Sequence, residues 1–294
     1  MKVLVVGATG MVGGAVARML SEKGNSVRAL LRPTADADKK ANLTSAGIET
    51  VGGDIRDTGS LDAACAGMDA VISTVSAMPF SWQEDNTIGV VDRDGIIGLI
   101  DSAKRASVTR FVHVSFPIDP GISFPLAKAK QAVKDHLKSG GIEYTIVAAN
   151  FFMEVWLNPA FGFDYSAGNA AVFGDGKNPI SWVSYIDVAR TAVEAVSNPR
   201  AKNKVLPVGG PDALSPLEAI EIFQNVTGKT WNVDYVPVDG LKKQMQDAAD
   251  EVQESVAGLQ LFYATSTLCG MDTGEYLITD GLKSIELYAR EVSG

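Results

Sequence analysis

Cysteine and histidine are scarce in this chain of 294 residues, which has two of each: Cys65, Cys269, His113 and His136. Two cysteines make no disulfide framework, and so few His and Cys leave little from which to build a metal site of that type. Positive charge is also short. Lys and Arg number 26 against 35 Asp and Glu, a net charge of −9, and no long basic run occurs. A nucleic-acid surface needs clustered cations, so nucleic acid is not an expected partner. No apolar run reaches the roughly 18 residues of a membrane span. There is no leader-like stretch ahead of the first apolar run, no internal repeat and no low-complexity linker. The expectation is a cytoplasmic globular protein that binds a small molecule and no membrane. Monomer and homodimer are both compatible with the sequence.

What is present begins at the start of the chain. Val3 to Val6 form an apolar, β-branched run of the kind found in strands buried on both faces of a parallel sheet. Gly7-Ala8-Thr9-Gly10-Met11-Val12-Gly13 then sets glycines three apart, and Val16, Ala17, Met19 and Leu20 pattern as a helix. Strand, glycine turn and helix make a phosphate-binding corner. Gly7 permits the tight turn, Gly10 admits a pyrophosphate to the backbone, and Gly13 allows close helix–strand packing. Thr9, Met11 and Val12 belong to the same contact surface.

The first half alternates regularly. Strands are expected at Ser26–Leu31, Ile48–Val51, Ala70–Ser73, Arg110–Val114 and Tyr144–Ala148. Helices are expected at 10–23, 37–46, 61–66, 90–106 and 126–139. Such alternation specifies a parallel sheet covered on both faces. Past Asn150 the rhythm breaks into aromatic and glycine-rich loops, a helix over 185–197, and a helix begun by the capping box Ser215-Pro216-Leu217-Glu218. The reading is an α/β chain: a Rossmann-type doubly wound parallel sheet over 1–150, and a smaller, mostly helical substrate-binding part over 151–294. That part packs on the first, with some interleaving of segments allowed.

An acid at the end of the second strand would bind the 2′-hydroxyl of NAD; this chain has Leu31-Arg32-Pro33 there, followed by Lys39 and Lys40. Arg32 can offer a forked, charge-assisted contact to a 2′-phosphate, so NADP(H) is the expected cofactor. Asp54 and Ile55, after the third strand, stand where an adenine edge is met; a turn-capping role for Asp54 is as well supported. Thr74, Val75 and Ser76, after the fourth strand, should line the cofactor at the sheet's carboxyl edge. On the helix near Pro125, Lys130 shares a stripe with Leu126, Ala129, Val133 and Leu137. A buried ammonium is costly unless paired, and a nicotinamide ribose or substrate oxygen would provide a partner. Short-chain dehydrogenases carry a tyrosine four residues before this lysine, and here that residue is Leu126.

The chain resembles the NmrA-like, or isoflavone/pinoresinol reductase-like, branch of atypical short-chain dehydrogenases. The residues that carry the resemblance are GATGMVGG at the start, LLRP with Arg32, GGDIRD at 52–57, DAVISTVSA at 69–77, RFVHVSFP at 110–117 and KQAVKDHLKSGGIEYTIVAANFFMEVW at 130–156. The resemblance implies an NADPH-dependent reductase of a small aromatic, quinone-like or enone/ketone substrate. It aligns Lys130 with the family's catalytic lysine and adds the Asn150-Phe151-Phe152 segment to the cofactor surface. Ser115-Phe116-Pro117 departs from the turn of the plant reductases. The same branch contains NADP(H)-sensing regulators without turnover, which is the alternative function. An isomerase using bound NADP is less compatible with Leu126.

Other residues invite weaker readings. Ser115 can assist Lys130 by holding a substrate carbonyl, or cap its loop. His113 alternates with Phe111 and Ser115 and reads as a core histidine. Phe80, Trp82, Phe116, Phe152, Trp156 and Phe161, with Phe151, Phe163 and Tyr165, stand in loops and suggest an apolar pocket for a flat substrate. About half would serve equally as a small core. Asp187 reads as a structural brace.

Overall fold

The computed structural model describes residues 1–78, 86–270 and 276–294. The backbone forms two compact units. The first comprises Met1–Ser115, Pro125–Ala148 and Val188–Leu206; the second comprises Phe116–Phe124, Ala149–Asp187 and Pro207–Gly294. One crossing thus lies beside the expected cut at residue 150, and shorter stretches are exchanged in addition.

The first unit is built on a seven-stranded sheet. Its strands include β1 (Lys2–Val6), β2 (Ser26–Leu31), β3 (Glu49–Gly52), β4 (Ala70–Ser73), β5 (Arg110–Ser115) and β6 (Glu143–Ala149). The order runs from the strand Lys204–Val208 through β6, β5, β4, β1 and β2 to β3. Every pairing among β1–β6 is parallel. Strand order reverses between β1 and β4, so the loops after these two strands diverge to opposite sides and leave a crevice at the carboxyl edge. The register there is Val3 opposite Ala70 through Val6 opposite Ser73.

Helices α1 (Met11–Glu22), α2 (Ala37–Ser45), α3 (Thr58–Cys65), α4 (Ile96–Arg105) and α5 (Pro125–Ser139) provide the crossovers. Leu4, Leu61, Val71, Leu99, Phe111 and Val133 meet in one core cluster, which is why the strand runs are apolar without alternation. The helix expected over 90–106 does not begin as an α-helix: Gly89–Gly95 is π-helical, and α4 follows it. Gly95 lies where a Cβ would sit 2.8 Å from Ile55 Cγ1, so the wide turn is pressed against the segment after β3.

The second unit is not purely helical. It contains a three-stranded sheet of Phe163–Asp164, Asn169–Phe173 and Asn232–Val236, and a two-stranded one of Ile180–Ser181 with Ala213–Leu214. The helix Pro216–Thr227 starts at Ser215 with both arms of the capping box formed. An aromatic core holds this unit together: Phe151, Phe163, Trp182, Phe223, Phe262, Tyr263 and Tyr288 are buried in one cluster. Asp187 braces it as expected, accepting the Lys283 N–H at 2.8 Å. Among the described residues no helix is long and apolar enough to cross a membrane.

Candidate functional site

The glycine corner follows from close approach. Gly7 has φ +96°, a conformation that L side chains rarely adopt, and a Cβ on it would lie 2.6 Å from Thr74 Oγ1. A Cβ on Gly13 would fall 2.2 Å from the Gly7 carbonyl oxygen, so α1 can rest on the end of β1 only because both residues lack side chains. Thr74 ties the two halves of the switch point together: its N–H and its hydroxyl both donate to Val6 O, at 3.0 and 3.3 Å. Gly10 is different. It is exposed, its nearest neighbour to a built Cβ is Gly7 O at 3.3 Å, and as N-cap it supplies no side-chain hydrogen bond. The first N–H groups of α1 therefore have no intrahelical partner and no cap, beside a backbone kept bare. Thr9 and Val12 are half-buried here and Met11 is exposed. This corner has the donors and the clearance that a pyrophosphate requires.

At the end of β2, Arg32 is half-buried and makes no ion pair with any described residue, which leaves its fork of donors for an anion. Asp54 plays the capping part of its two expected roles. Its Oδ1 accepts the Arg56 N–H at 2.9 Å, and Arg56 Nε and Nη2 each reach a carboxylate oxygen at 2.8 Å. The hydrogen bond from the Arg56 side chain, with help from its charge, holds the Asp54 carboxyl below the usual range. Ile55 is buried in the core cluster. Its side chain supports the turn rather than presenting a surface to an adenine.

Lys130 sits on the buried stripe of α5 with 4% of its surface exposed. Its Nζ donates to the Val75 carbonyl at 3.3 Å, directly after β4. The partner that makes this burial tolerable is Asp92, fully buried in the π-helical turn, whose Oδ1 lies 2.9 Å from Nζ. Asp92 Oδ2 accepts the Ala77 N–H at 2.9 Å, which fixes the loop after β4 as well. Beside any ribose or substrate oxygen, the chain thus carries a counter-ion of its own for the buried lysine. The sequence reading missed Asp92, although it stands four residues before Ile96 and seven before Leu99, on the stripe that α4 buries. Leu126 is buried, so the position of the missing tyrosine offers no acid. Ser76 accepts the Met78 N–H at 3.2 Å.

His113 is fully buried opposite Ser73 across β4 and β5, with the Ser73 backbone as a polar neighbour of its ring. It is a core histidine, as read. Burial, and then the Lys130 charge, hold the imidazole well below its ordinary 6.5. Ser115 ends β5 and is nearly buried.

In the second unit the Asn150 and Phe151 side chains turn inward. The Asn150 amide is spent internally, its Nδ2 donating to Cys269 O and its Oδ1 accepting the Phe151 N–H. Phe151 points into the aromatic core, edge-on to Trp156 at 4.8 Å and to Tyr263 at 5.5 Å. Phe152, Trp156, Phe161 and Phe116 all stay half-exposed. Trp156 lies 5.5 Å from Phe161, and Phe116 stacks with Phe124 at 6.2 Å. Phe163 and Tyr165 pack against Phe223 as part of the core. Phe80 and Trp82 lie outside the described residues.

A parallel sheet with this strand order and a bare glycine corner define a dinucleotide-binding type of protein, with a buried lysine held at the end of β4. The chain belongs to the NmrA-like family, whose model matches residues 1–289. It is similar to an isoflavone reductase homologue of Zea mays, at 34% identity over 84% of this chain and 81% of the relative. It is also similar to an NAD(P)H azoreductase of Xenophilus azovorans, at 29% identity over 85% of each. Among solved structures, AtPrR2 with NADP+ and (+)pinoresinol superposes with a TM-score of 0.79 at 22% identity, over 99% of this chain and 98% of that one.

Proposed function

We propose that this chain is an NADPH-dependent reductase of a small aromatic, quinone-like or enone/ketone substrate. The observation that carries the reading is Lys130, a buried ammonium presented beside the Val75 carbonyl at the end of β4. The relatives' names, an isoflavone reductase homologue and an NAD(P)H azoreductase, and the similar solved structure that holds NADP+ support it. Gly10 and the first N–H groups of α1 would take the pyrophosphate, with Gly7, Thr9, Met11, Val12 and Gly13 shaping its seat. Arg32 would take the 2′-phosphate, and Thr74, Val75 and Ser76 the nicotinamide side. When bound, NADPH supplies the hydride.

The chain's own work is then orientation and proton management. Lys130 offers a proton from Nζ to the oxygen or nitrogen on which charge develops, or holds that atom by a charge-assisted hydrogen bond. Ser115 would add a second donor. Phe152, Trp156, Phe161 and Phe116, the rings the second unit's core leaves partly uncovered, would bind a flat apolar body. The test is NADPH consumption by the purified protein against quinones, azo compounds, enones, isoflavonoids and aromatic ketones, with Lys130→Ala alongside. Turnover on at least one class, lost in the variant, is the expected result. Tight NADPH binding with no turnover on any class would replace the reductase with a dinucleotide-sensing regulator.

A further inference from the structure

One buried acid has no part in the reaction as just described. Asp92 has none of its surface exposed, and it sits in the π-helical turn Gly89–Gly95 rather than in regular α-helix. Short π-helical turns are rare and tend to occur where a side chain must be aimed. Asp92 is aimed at two things: the Ala77 N–H at 2.9 Å and the Lys130 ammonium, also at 2.9 Å. The latter has the distance of an ion pair without full hydrogen-bond direction, since Oδ1 has no hydrogen-bond partner by geometry.

We infer that Asp92 is the positioning residue of this site: its carboxylate holds the Lys130 ammonium and the loop after β4 in one fixed relation. The inference rests on the reductase reading above. An ammonium has three N–H donors. One goes to Val75 O and one side faces Asp92, which leaves the third for an oxygen brought by a ligand. His113, whose imidazole burial and the Lys130 charge hold well below its ordinary 6.5, adds no compensating negative charge. Among the described residues, Asp92 is the carboxylate in ion-pair contact with Lys130. Without it, a buried cation would be left unpaired, the state that a protein interior tolerates least.

The test uses Asp92→Asn, Lys130→Met and the double variant in the full chain. Asparagine keeps an oxygen for the Ala77 N–H and puts an uncharged NH2 in place of the carboxylate oxygen beside Nζ. Three quantities are read for each protein: NADPH Kd, kcat on the best panel substrate, and the thermal midpoint. For Asp92→Asn, kcat should fall about ten- to a hundredfold, the scale of a misplaced reacting group, with NADPH Kd changed less than about threefold. Each single variant should melt below wild type, and the double variant should melt above both, because it leaves neither charge alone. Wild-type kcat in Asp92→Asn would overturn the inference. So would Kd weakening in step with kcat, or melting losses that simply add. If wild type itself shows no turnover, the reductase reading fails, and the melting cycle still decides whether Asp92 and Lys130 act as a pair.

Discussion

Two glycines three residues apart should respond to the same substitution in opposite ways. In Gly13→Ala, the new methyl would stand 2.2 Å from Gly7 O, 2.6 Å from Gly7 C and 2.6 Å from Thr74 Oγ1. Two of these are backbone atoms at the end of β1, so neither rotates away. Overpacking of this kind costs up to about 3 kcal/mol. Alanine returns about 1 kcal/mol through its better helix propensity. The net loss is then about 2 kcal/mol, a fall of about 4–8 °C in the midpoint for a domain of this size. In Gly10→Ala, the built methyl has one neighbour at 3.3 Å and otherwise faces solvent. Its melting should stay within about 0.5 kcal/mol of wild type, the range of an exposed substitution. NADPH binding should nevertheless fall by at least about tenfold, because the methyl occupies the approach of the pyrophosphate to the backbone. Calorimetry and a fluorescence titration on the two variants decide this. A Gly13→Ala protein as stable as wild type would refute the packing argument. Full NADPH affinity in Gly10→Ala would refute the assignment of that corner to phosphate.

Arg32→Ala should weaken NADPH binding by about tenfold or more while leaving NADH nearly unchanged, the loss expected of one charge-assisted contact to phosphate; equal loss for both dinucleotides in parallel titrations would remove the 2′-phosphate from Arg32. Lys130→Ala should keep the circular dichroism of the wild type and lose at least about a hundredfold in kcat; undiminished turnover would end its catalytic role. His113 gives a pH effect whose sign is fixed by its depressed basicity. The folded state binds fewer protons than the unfolded one below the ordinary 6.5, so stability is fully present above that pH and falls beneath it, by about 1.4 kcal/mol for each unit. Denaturant unfolding at pH 7 and pH 5.5 should show this slope in wild type and its absence in His113→Gln.

How much of this was legible in the sequence depends on whether a residue's neighbours lie near it in the chain or across the fold. β2 and β4 appear with the expected bounds, Ser26–Leu31 and Ala70–Ser73, because a doubly buried strand imposes its composition locally. The capping box at Ser215 formed for the same reason, all its donors and acceptors lying within four residues. Lys130 was legible because helical periodicity is a local signal and a lysine violates it. The strands Asn169–Phe173 and Asn232–Val236 were not, since they pair with each other over sixty residues of separation in register and carry no clean alternation. Asn150 and Phe151 were placed on the cofactor surface by the family resemblance, and their side chains turn inward, where Cys269, Trp156 and Tyr263 meet them. The π-helical turn was invisible for a related reason: its residues could all continue an α-helix.

The pairing of Lys130 with Asp92 shows what this division means for the chemistry. Periodicity marks each residue separately as a charge on an apolar stripe, and each mark taken alone invites a ligand as explanation. Only the fold shows that the two marks cancel, at 2.9 Å and almost wholly out of solvent. A lysine waiting for a ligand to pair it would have to be ordered by that ligand. A lysine held beforehand by Asp92 and the Val75 carbonyl is already oriented when substrate enters, so no binding energy is spent on ordering it. The counter-ion therefore argues for, not against, a chemical role of Lys130, and it makes Asp92 the residue whose removal separates a preorganised donor from a merely buried one.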